Sequence, residues 1–598
     1  MAADKLAAIH ERLVAGKPSL ADLAACAAEL RTLALDAEAR GEPVRRVAVA
    51  GDLTSDLLGH AMACAIAMEG DLPLVHCAPY GTLQQQCLDP GSELHAFRPE
   101  LAMLVPDWRQ TLEPLPLDAS TEAVAAATQA GVRTFEAAWS ALEASNCRII
   151  QHTLVPPASL LRGVAERRSE ASTGRRVTAL NDALFQASAG RVTWLEADRL
   201  AAQVGLAAWS SPRFYHAGKL GFDPRFLPDC LPWLRGAWRA ATGRSKKLLV
   251  LDLDDTLWGG TIGDDGVEGI ALGGGHGAKG EAFAEWQAYL SQLGQRGVLL
   301  AVCSKNSLEL AVAGFDHADS ALRRSDFAAI VCSWDDKATG LRQIATDLNL
   351  GLDAMVFVDD NPAERSLVQQ LLPEVETVDI GTDPAQFIAR LEAGHWFDLQ
   401  SYTGEDLRRG QAYAARGQAL AAREQAVDLA GFLQGLEMRG RLQTAQAQDL
   451  ARLAQMELKT NQFNLTTRRR SHAQLAADLE RSDRLVLAFD LQDRFGDHGL
   501  VASLVVARED DVFRIDSWLM SCRVFSRTAE QFILAALIRM AQEQGAKALV
   551  GEYLPTVRNG VVADLYRRLG FAPIDSEGRF WQRELAAPLD DLASAIRQ

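Results

Sequence analysis

Long apolar runs are missing from this 598-residue chain. The longest uncharged stretch of apolar character, Leu57 to Met68, contains a histidine and falls far short of the roughly 20 residues a bilayer-spanning helix needs. An apolar leader is missing too. Met1-Ala-Ala-Asp-Lys-Leu-Ala-Ala-Ile-His-Glu carries charge where a signal peptide has its apolar core. The expectation is a chain that is neither membrane-bound nor exported. Cysteine is scarce: nine residues, none in a C-x-x-C pair, exclude a disulfide scaffold and predict free thiols in a reducing cytoplasm. Positive charge is in deficit, with 61 Lys and Arg against 78 Asp and Glu and a net charge of −17. So acidic a chain is a poor general binder of nucleic-acid backbones, and no nucleic-acid partner is expected. Internal repeats and long low-complexity tracts are absent as well.

What is present is ordinary for a globular chain: 48% apolar and 23% charged residues, which excludes compositional disorder. The length predicts about four domains. Three regions differ in pattern. Residues 1–240 alternate helical stretches with strand-like runs, Val47-Ala-Val-Ala50, Leu101-Ala-Met-Leu-Val and Cys147-Arg-Ile-Ile, and read as an α/β layer domain. Residues 245–395 carry Leu248-Leu-Val-Leu, Val298-Leu-Leu-Ala-Val, Ala329-Ile-Val and Met355-Val-Phe-Val, separated by amphipathic stretches of helical period. Short apolar strands between helices predict a doubly wound, Rossmann-like parallel sheet. A charged, Ala-rich helical connector is expected over 396–430. Residues 431–598 read as strands followed by a helix near Thr528 to Gln544, an antiparallel-rich α+β domain.

Ligands of a doubly wound sheet bind beyond the carboxyl ends of its strands. The residues there form an ordered set. Asp252-Leu-Asp-Asp-Thr256 follows the first run, Cys303-Ser-Lys-Asn306 the second, and Asp359-Asp-Asn-Pro362 the fourth; Lys337 lies between the last two. Strand alternation lets Asp252 and Asp254 project together. A carboxylate cluster of Asp252, Asp254, Asp359 and Asp360 with open positions suits Mg²⁺ and bound phosphate. Asp252 is placed to attack phosphorus, and Asp254 to protonate the leaving oxygen and then activate water. Thr256, Ser304 and Lys337 are the candidate phosphate-binding groups. An isolated Asp-x-Asp would be an ordinary strand-end cap; four elements in this order point to phosphoryl chemistry.

That ordered set resembles the haloacid dehalogenase (HAD) superfamily. Asp252 through Gly266 (DLDDTLWGGTIGDDG), Gly280-Glu-Ala-Phe, Cys303-Ser-Lys-Asn306 and Val358-Asp-Asp-Asn-Pro-Ala-Glu-Arg365 are similar to its FkbH-like branch. The resemblance is strong over about 150 residues and continues more weakly to residue 598. It implies loading of a three-carbon unit from 1,3-bisphosphoglycerate onto the phosphopantetheine arm of an acyl carrier protein, with loss of phosphate. Cys303 is then the implied acyl carrier, beside the cation of Lys305, and Lys305, Asn306 and Asn361 are candidate substrate contacts. The residue chemistry of Cys303 alone is equally that of a small apolar strand residue. A small-molecule phosphomonoesterase and a GNAT-type acyltransferase stay open as alternatives.

Around the strand ends, Gly273-Gly-Gly-His-Gly-Ala-Lys-Gly280 is no P-loop, since no Gly-Lys-Ser/Thr follows. It fits either a mobile substrate loop or an anion site ahead of a helix starting near Glu281. Trp258 to Gly266 predicts a hairpin flap.

The first region resembles the SGNH-hydrolase-related domain of longer FkbH-like chains, without its chemistry. Gly51-Asp52 is followed by Leu53 instead of serine, and His216 has no aspartate three residues before it. Hydrolysis is not expected there, which leaves a structural or carrier-docking domain; Asp52, Thr54 and Ser55 read as helix caps or a vestigial pocket. The third region resembles the GNAT fold through Arg523-Val-Phe-Ser-Arg-Thr528, Asn559 and Asp564-Leu-Tyr-Arg-Arg-Leu-Gly-Phe571. Ser526 and Thr528 replace the glycines that typically approach the coenzyme A phosphates. Lys459-Thr-Asn-Gln-Phe-Asn464 reads as an arm-binding or capping run. Arg468, Arg469 and Arg470 read as a solvated face or a docking patch for an acidic carrier.

Overall fold

Short apolar runs bounded by turn residues become buried parallel strands in the computed structural model of the chain. It describes residues 2–188, 190–401, 433–494, 496–521, 524–525, 527–556, 558–586 and 592–598. Of the connector expected over 396–430, residues 402–430 lie outside the described residues, as do Arg523 and Ser526. The chain forms two compact units: Met1–Ser245 with Ala393–Ser401, and Lys246–Glu392 with Tyr402–Gln598.

Unit 1 is built on β1 (Arg45–Gly51), β2 (Pro73–Cys77), β3 (Leu101–Val105), β4 (Arg148–His152) and β5 (Val192–Leu195). All four pairings are parallel, in the order β2-β1-β3-β4-β5. Every residue of β3 is buried, as a strand covered on both faces requires. β2 and β5 escape a reading of apolar runs because His76 and Thr193 interrupt them. The run from Leu57 to Met68 becomes the helix Asp56–Met68, buried over most of its length, which is why it is apolar all round. The segment at 393–401 returns to this unit. Arg239 pairs with Glu69 at 3.2 Å and donates to Gly394 O at 2.6 Å, and Ser245 donates to Asp398 O.

Unit 2 holds a second parallel sheet of β6 (Leu248–Leu251), β7 (Leu299–Ser304), β8 (Phe327–Cys332), β9 (Met355–Val358) and β10 (Glu376–Val378). Its order is β10-β9-β6-β7-β8. The chain runs outward from β6 through β7 and β8, then crosses back to β9 on the other flank. The strand order therefore reverses between β6 and β9, and the crevice beyond their carboxyl ends is the favoured ligand position.

The rest of unit 2 is a seven-stranded sheet of β11 (Arg439–Thr444), β12 (Arg484–Asp493), β13 (Gly496–Glu509), β14 (Val512–Met520), β15 (Ala548–Glu552), β16 (Ala572–Pro573) and β17 (Phe580–Glu584). Its order is β11-β12-β13-β14-β15-β17-β16, antiparallel except between β14 and β15. The helix Ala529–Glu543 makes that one parallel connection, and its Ile533, Leu534 and Leu537 share one buried core with Phe489 and Trp518 of the sheet. The molecule is thus a multidomain α/β protein. Among the described residues, no helix is long and apolar enough to cross a membrane.

Candidate functional site

β6 and β9 deliver their carboxylates to the same place. The Asp252 N–H donates to Val358 O at 3.0 Å, which sets Asp252 beside Asp359. Asp252, Asp359 and Asp360 each offer a carboxylate oxygen, all within 4.8 Å of one another. Lys337, buried at the start of the helix Lys337–Leu348, bridges two of them. Its Nζ lies 2.7 Å from Asp252 Oδ1 and 3.1 Å from Asp359 Oδ2, and it donates to Cys303 O at 2.7 Å. Burial alone would lower the Lys337 ammonium, but Asp252 and Asp359 outweigh it and hold it above the ordinary lysine value. Burial raises Asp359, and the Asp252 charge adds to it. Asp360 is pushed up to about 6 by burial and by the charges of Asp359 and Asp252.

One ammonium against three carboxylates leaves this crevice short of positive charge. The buried Asp359 Oδ2 has only the Lys337 ammonium, at 3.1 Å, for a partner among the described residues. A hard divalent cation supplies what is lacking, because it takes oxygen ligands and tolerates open positions. The donor set therefore fits such an ion.

Asp254 is not in that group, which corrects the expectation that its side chain is a metal ligand. Three donors hold it elsewhere: Trp258 Nε1 at 2.9 Å and Ile262 N at 3.0 Å on Oδ1, and Asn306 Nδ2 at 3.2 Å on Oδ2. Asp255 follows in a left-handed conformation, φ 49°, so the chain turns out of strand alternation at this point. Burial raises the Asp254 carboxyl above the usual carboxylate range, which favours a proton-holding group. The flap that supplies two of its donors is closed by paired hydrogen bonds between Gly259 and Ala271, at 3.1 and 2.7 Å. It carries a short helix, Ile262–Asp265, and is wider than the expected hairpin.

Other expected site residues have different placements. Thr256 is wholly buried and its Oγ1 accepts Asp360 N at 3.3 Å; it supports the Asp359–Asp360 turn from below and is not a phosphate contact. Ser304 ends β7 and is nearly buried. Lys305 pairs with Glu364 at 2.6 Å, while Asn306 positions Asp254. Asn361 caps the helix Pro362–Leu371 by accepting Ala363 N at 2.9 Å, so its side chain is occupied by the backbone.

Cys303 is buried beside the crevice, 3.8 Å from the Lys337 carbonyl. Strand alternation sends it to the opposite face from Ser304, into the core with Ala338 and Leu341. A Cβ on Gly340 would stand 2.6 Å from its Sγ. Burial pushes the thiol up to about 12. The expected thiolate at the mouth of the sheet is corrected to an enclosed thiol, because burial outweighs the nearby Lys337 ammonium, while the Lys305 ammonium pairs with Glu364.

Several residues of this site were not singled out from the sequence. Arg365 donates to Asp359 O at 2.7 Å and Asp360 O at 2.8 Å and so fixes the turn that presents both carboxylates. Trp258 and Glu364 act as described. The signal for Arg365 was its place one helical turn after Asn361-Pro362, at the end of the quoted motif.

The chain matches no family model and no curated protein. Among solved structures it is similar to the N-terminal part of a Bacteroides fragilis protein, which contains a phosphatase domain and was solved with Mg. Identity is 28%, the match covers 63% of this chain and 99% of that one, and the TM-score is 0.57. It is also similar to the Escherichia coli ribosomal-protein-S18-alanine N-acetyltransferase, 16% identical over 25% of this chain and 96% of that one, TM-score 0.20. A Thermoplasma acidophilum PaiA N-acetyltransferase solved with coenzyme A is 13% identical over 24% and 98%, TM-score 0.20. Likenesses as slight as the last two say nothing of activity.

Outside the crevice, the remaining motifs are structural. Gly273 takes φ +79° and leaves no room for a side chain, since a Cβ would meet Asp319 Oδ2 at 2.0 Å. Its N–H donates to Gly280 O at 2.8 Å, so the glycine loop is closed on itself, and the helix it precedes begins at Gly277. In unit 1, Asp52 accepts from Asp107 N and Thr111 Oγ1, both at 3.2 Å, as a brace. Arg468, expected on a docking face, pairs with Asp516 and Glu552, and Arg470 with Asp478 and Asp516. Arg469 donates to Leu458 O and Asn461 Oδ1. The three arginines are bound internally because buried carboxylates need counter-charge. Asn464 accepts Thr467 N at 2.8 Å and donates to Thr460 O at 3.2 Å, which makes its run a brace as well.

Proposed function

We propose that unit 2 is a magnesium-dependent phosphoryl-transfer enzyme of the HAD type. The observation that carries this reading is the grouping of Asp252, Asp359 and Asp360 around the Lys337 ammonium at the strand-order reversal. The similarity to a Bacteroides fragilis phosphatase domain solved with Mg supports it. Asp252, Asp359 and Asp360 would hold the ion, which when bound neutralises negative charge on phosphoryl oxygens.

The chain's own residues account for the rest. Lys337 neutralises one Asp252 oxygen and leaves the other to attack phosphorus. The bond from phosphorus to the leaving oxygen breaks as Asp254 gives that oxygen its proton. Asp254, now ionised, takes a proton from water, whose oxygen attacks the aspartyl phosphate. Phosphate leaves, and Asp252 and protonated Asp254 are restored. Trp258, the Ile262 amide and Asn306 keep Asp254 oriented through both steps.

Within this chemistry, the FkbH-like motifs support 1,3-bisphosphoglycerate as the donor and the thiol of an acyl carrier protein as the acceptor: a thiolate attacks the acyl carbon, the phosphate of the acyl phosphate leaves, and Asp252 acts on the other phosphoryl group. Transfer through Cys303 requires its thiol to leave the contact with Gly340. A small-molecule phosphatase needs no such movement, and the enclosure of Cys303 favours that second reading. Intact-protein mass spectrometry after incubation with Mg²⁺ and enzymatically generated 1,3-bisphosphoglycerate separates the two. A hydroxylamine-labile three-carbon adduct on Cys303 establishes acyl transfer. Phosphate release that depends on Asp252, with no thiol adduct, establishes the phosphatase. Absence of both rejects the proposal.

A further inference from the structure

The parallel sheet of unit 1 has its own reversal of strand order, between β1 and β3. A cavity of about 490 Å³ lies there. Thr54, just after β1, Val105 and Asp107, at and after the end of β3, and His152, at the end of β4, all line it. This is the crevice in which open α/β sheets bind ligands, and its size falls within the roughly 300–1,000 Å³ of small-molecule sites.

The walls define the chemistry of an occupant. The deep part is apolar: Leu58, Met103, Leu200 and Leu234, with Trp209 stacked on Phe222 at 4.6 Å. The polar groups carry no net charge. Asp107 and Arg109 pair at 2.9 Å, and the Arg109 guanidinium lies over the rings of Tyr215 and Trp108 at 4.1 and 4.5 Å. His152 Nδ1 bonds the Thr153 carbonyl at 2.7 Å. A carbonyl only accepts, so Nδ1 carries the hydrogen; burial favours the neutral ring, which leaves Nε2 as an acceptor. A nucleophile is lacking where Leu53 follows Gly51-Asp52, so an occupant would be held, not cleaved.

The geometry points to a binding site in unit 1 for an uncharged, largely apolar small molecule that bears a hydroxyl or amide N–H group, with the apolar body among Leu58, Met103 and Leu234 and the donor on His152 Nε2. This site is independent of the phosphoryl chemistry of unit 2.

The test uses the full chain and three probes: octan-1-ol, 1-methoxyoctane, which lacks the donor, and octanoate at neutral pH, which adds charge. Tryptophan fluorescence and titration calorimetry follow binding. Saturable 1:1 binding of octan-1-ol is expected, with the ether at least about tenfold weaker, the loss of one hydrogen bond to a buried acceptor. Octanoate is expected to bind more weakly than the alcohol. No saturable binding of octan-1-ol, equal binding of alcohol and ether, or tighter binding of octanoate each overturns the inference. Two variants locate the site. Met103→Trp, which fills the cavity, removes alcohol binding while p-nitrophenyl phosphate turnover by unit 2 is kept. His152→Phe brings the alcohol down to the affinity of the ether. Alcohol binding unchanged in Met103→Trp also overturns the assignment. The comparison of probes on the unaltered chain stands even where a variant does not fold.

Discussion

Asp252 and Asp254 are two residues apart and do different work because their partners differ. Asp252 faces an ammonium; Asp254 faces an indole N–H, a backbone N–H and an amide. Asp252→Asn is expected to lower kcat on p-nitrophenyl phosphate by at least about 10³-fold, as loss of a nucleophile does. Asp254→Asn should slow an alkyl phosphate far more than p-nitrophenyl phosphate, because only the poorer leaving group needs the proton. Paired rate measurements on the two substrates check this, and equal losses would remove Asp254 as the acid. Cys303 is expected to stay unmodified by iodoacetamide at about pH 8 in the folded chain and to react after unfolding, since only the thiolate attacks. Peptide mapping reads the result. Rapid labelling of the folded protein would return Cys303 to the active crevice. The residue types of the site were legible in the sequence. Which of them touch was not: the left-handed turn at Asp255 takes Asp254 out of strand alternation, and burial in the core encloses Cys303.

At the scale of elements, a helix start places the catalytic cation. Asp336 caps the helix Lys337–Leu348, accepting Thr339 N at 2.8 Å and Thr339 Oγ1 at 3.0 Å. Asp336→Ala should cost about 1 kcal/mol of unit 2 stability by urea unfolding. Its effect on kcat should exceed that, because Lys337 is the first helical residue. A loss of kcat no larger than the loss of folded fraction would refute this positioning role. The sequence showed Asp335-Asp-Lys337 as a source of a lysine and hid the cap. The strands of the second sheet were legible for four of its five members, since buried parallel strands are continuous apolar runs. β10, Glu376-Thr-Val378, is short and carries polar residues at the sheet edge. β2 and β5, the edge strands of the unit 1 sheet, were missed for similar reasons.

For the molecule as a whole, the two units should respond oppositely to acid in the absence of metal. Burial lowers His152 below its ordinary 6.5. The unfolded chain therefore binds that proton more readily, and this part of unit 1 stability is present above about 6.5 and lost as pH falls below it. In unit 2, Asp360 is raised from 3.8 to about 6, with Asp359 raised as well. The folded state there binds protons more readily, so this stability is fully present below 3.8 and lost as pH rises through about 6. Calorimetric scans in EDTA from about pH 7 down to pH 5 should show the unit 1 transition moving down relative to that of unit 2. Adding Mg²⁺ at about pH 7 should raise the unit 2 transition, because the ion binds the folded carboxylates. A unit 1 transition that moves up on acidification would contradict the neutral state of His152.

Sequence alone determined the class of the chemistry, the parallel sheet of unit 2 and the α/β layering of unit 1. Carboxylates, a hydroxyl and a lysine placed just after apolar runs report their own position, because a buried strand must be apolar and its end must not be. Tertiary structure alone decided which carboxylates share a cation, that Thr256 and Arg468 to Arg470 serve the scaffold, and that Cys303 is enclosed. It also decided that a chain segment near residue 395 returns to unit 1 and that this unit keeps a cavity where a nucleophile is lacking. These depend on what lies across a strand or above a helix end, and contacts between residues far apart in the chain leave no local pattern to read.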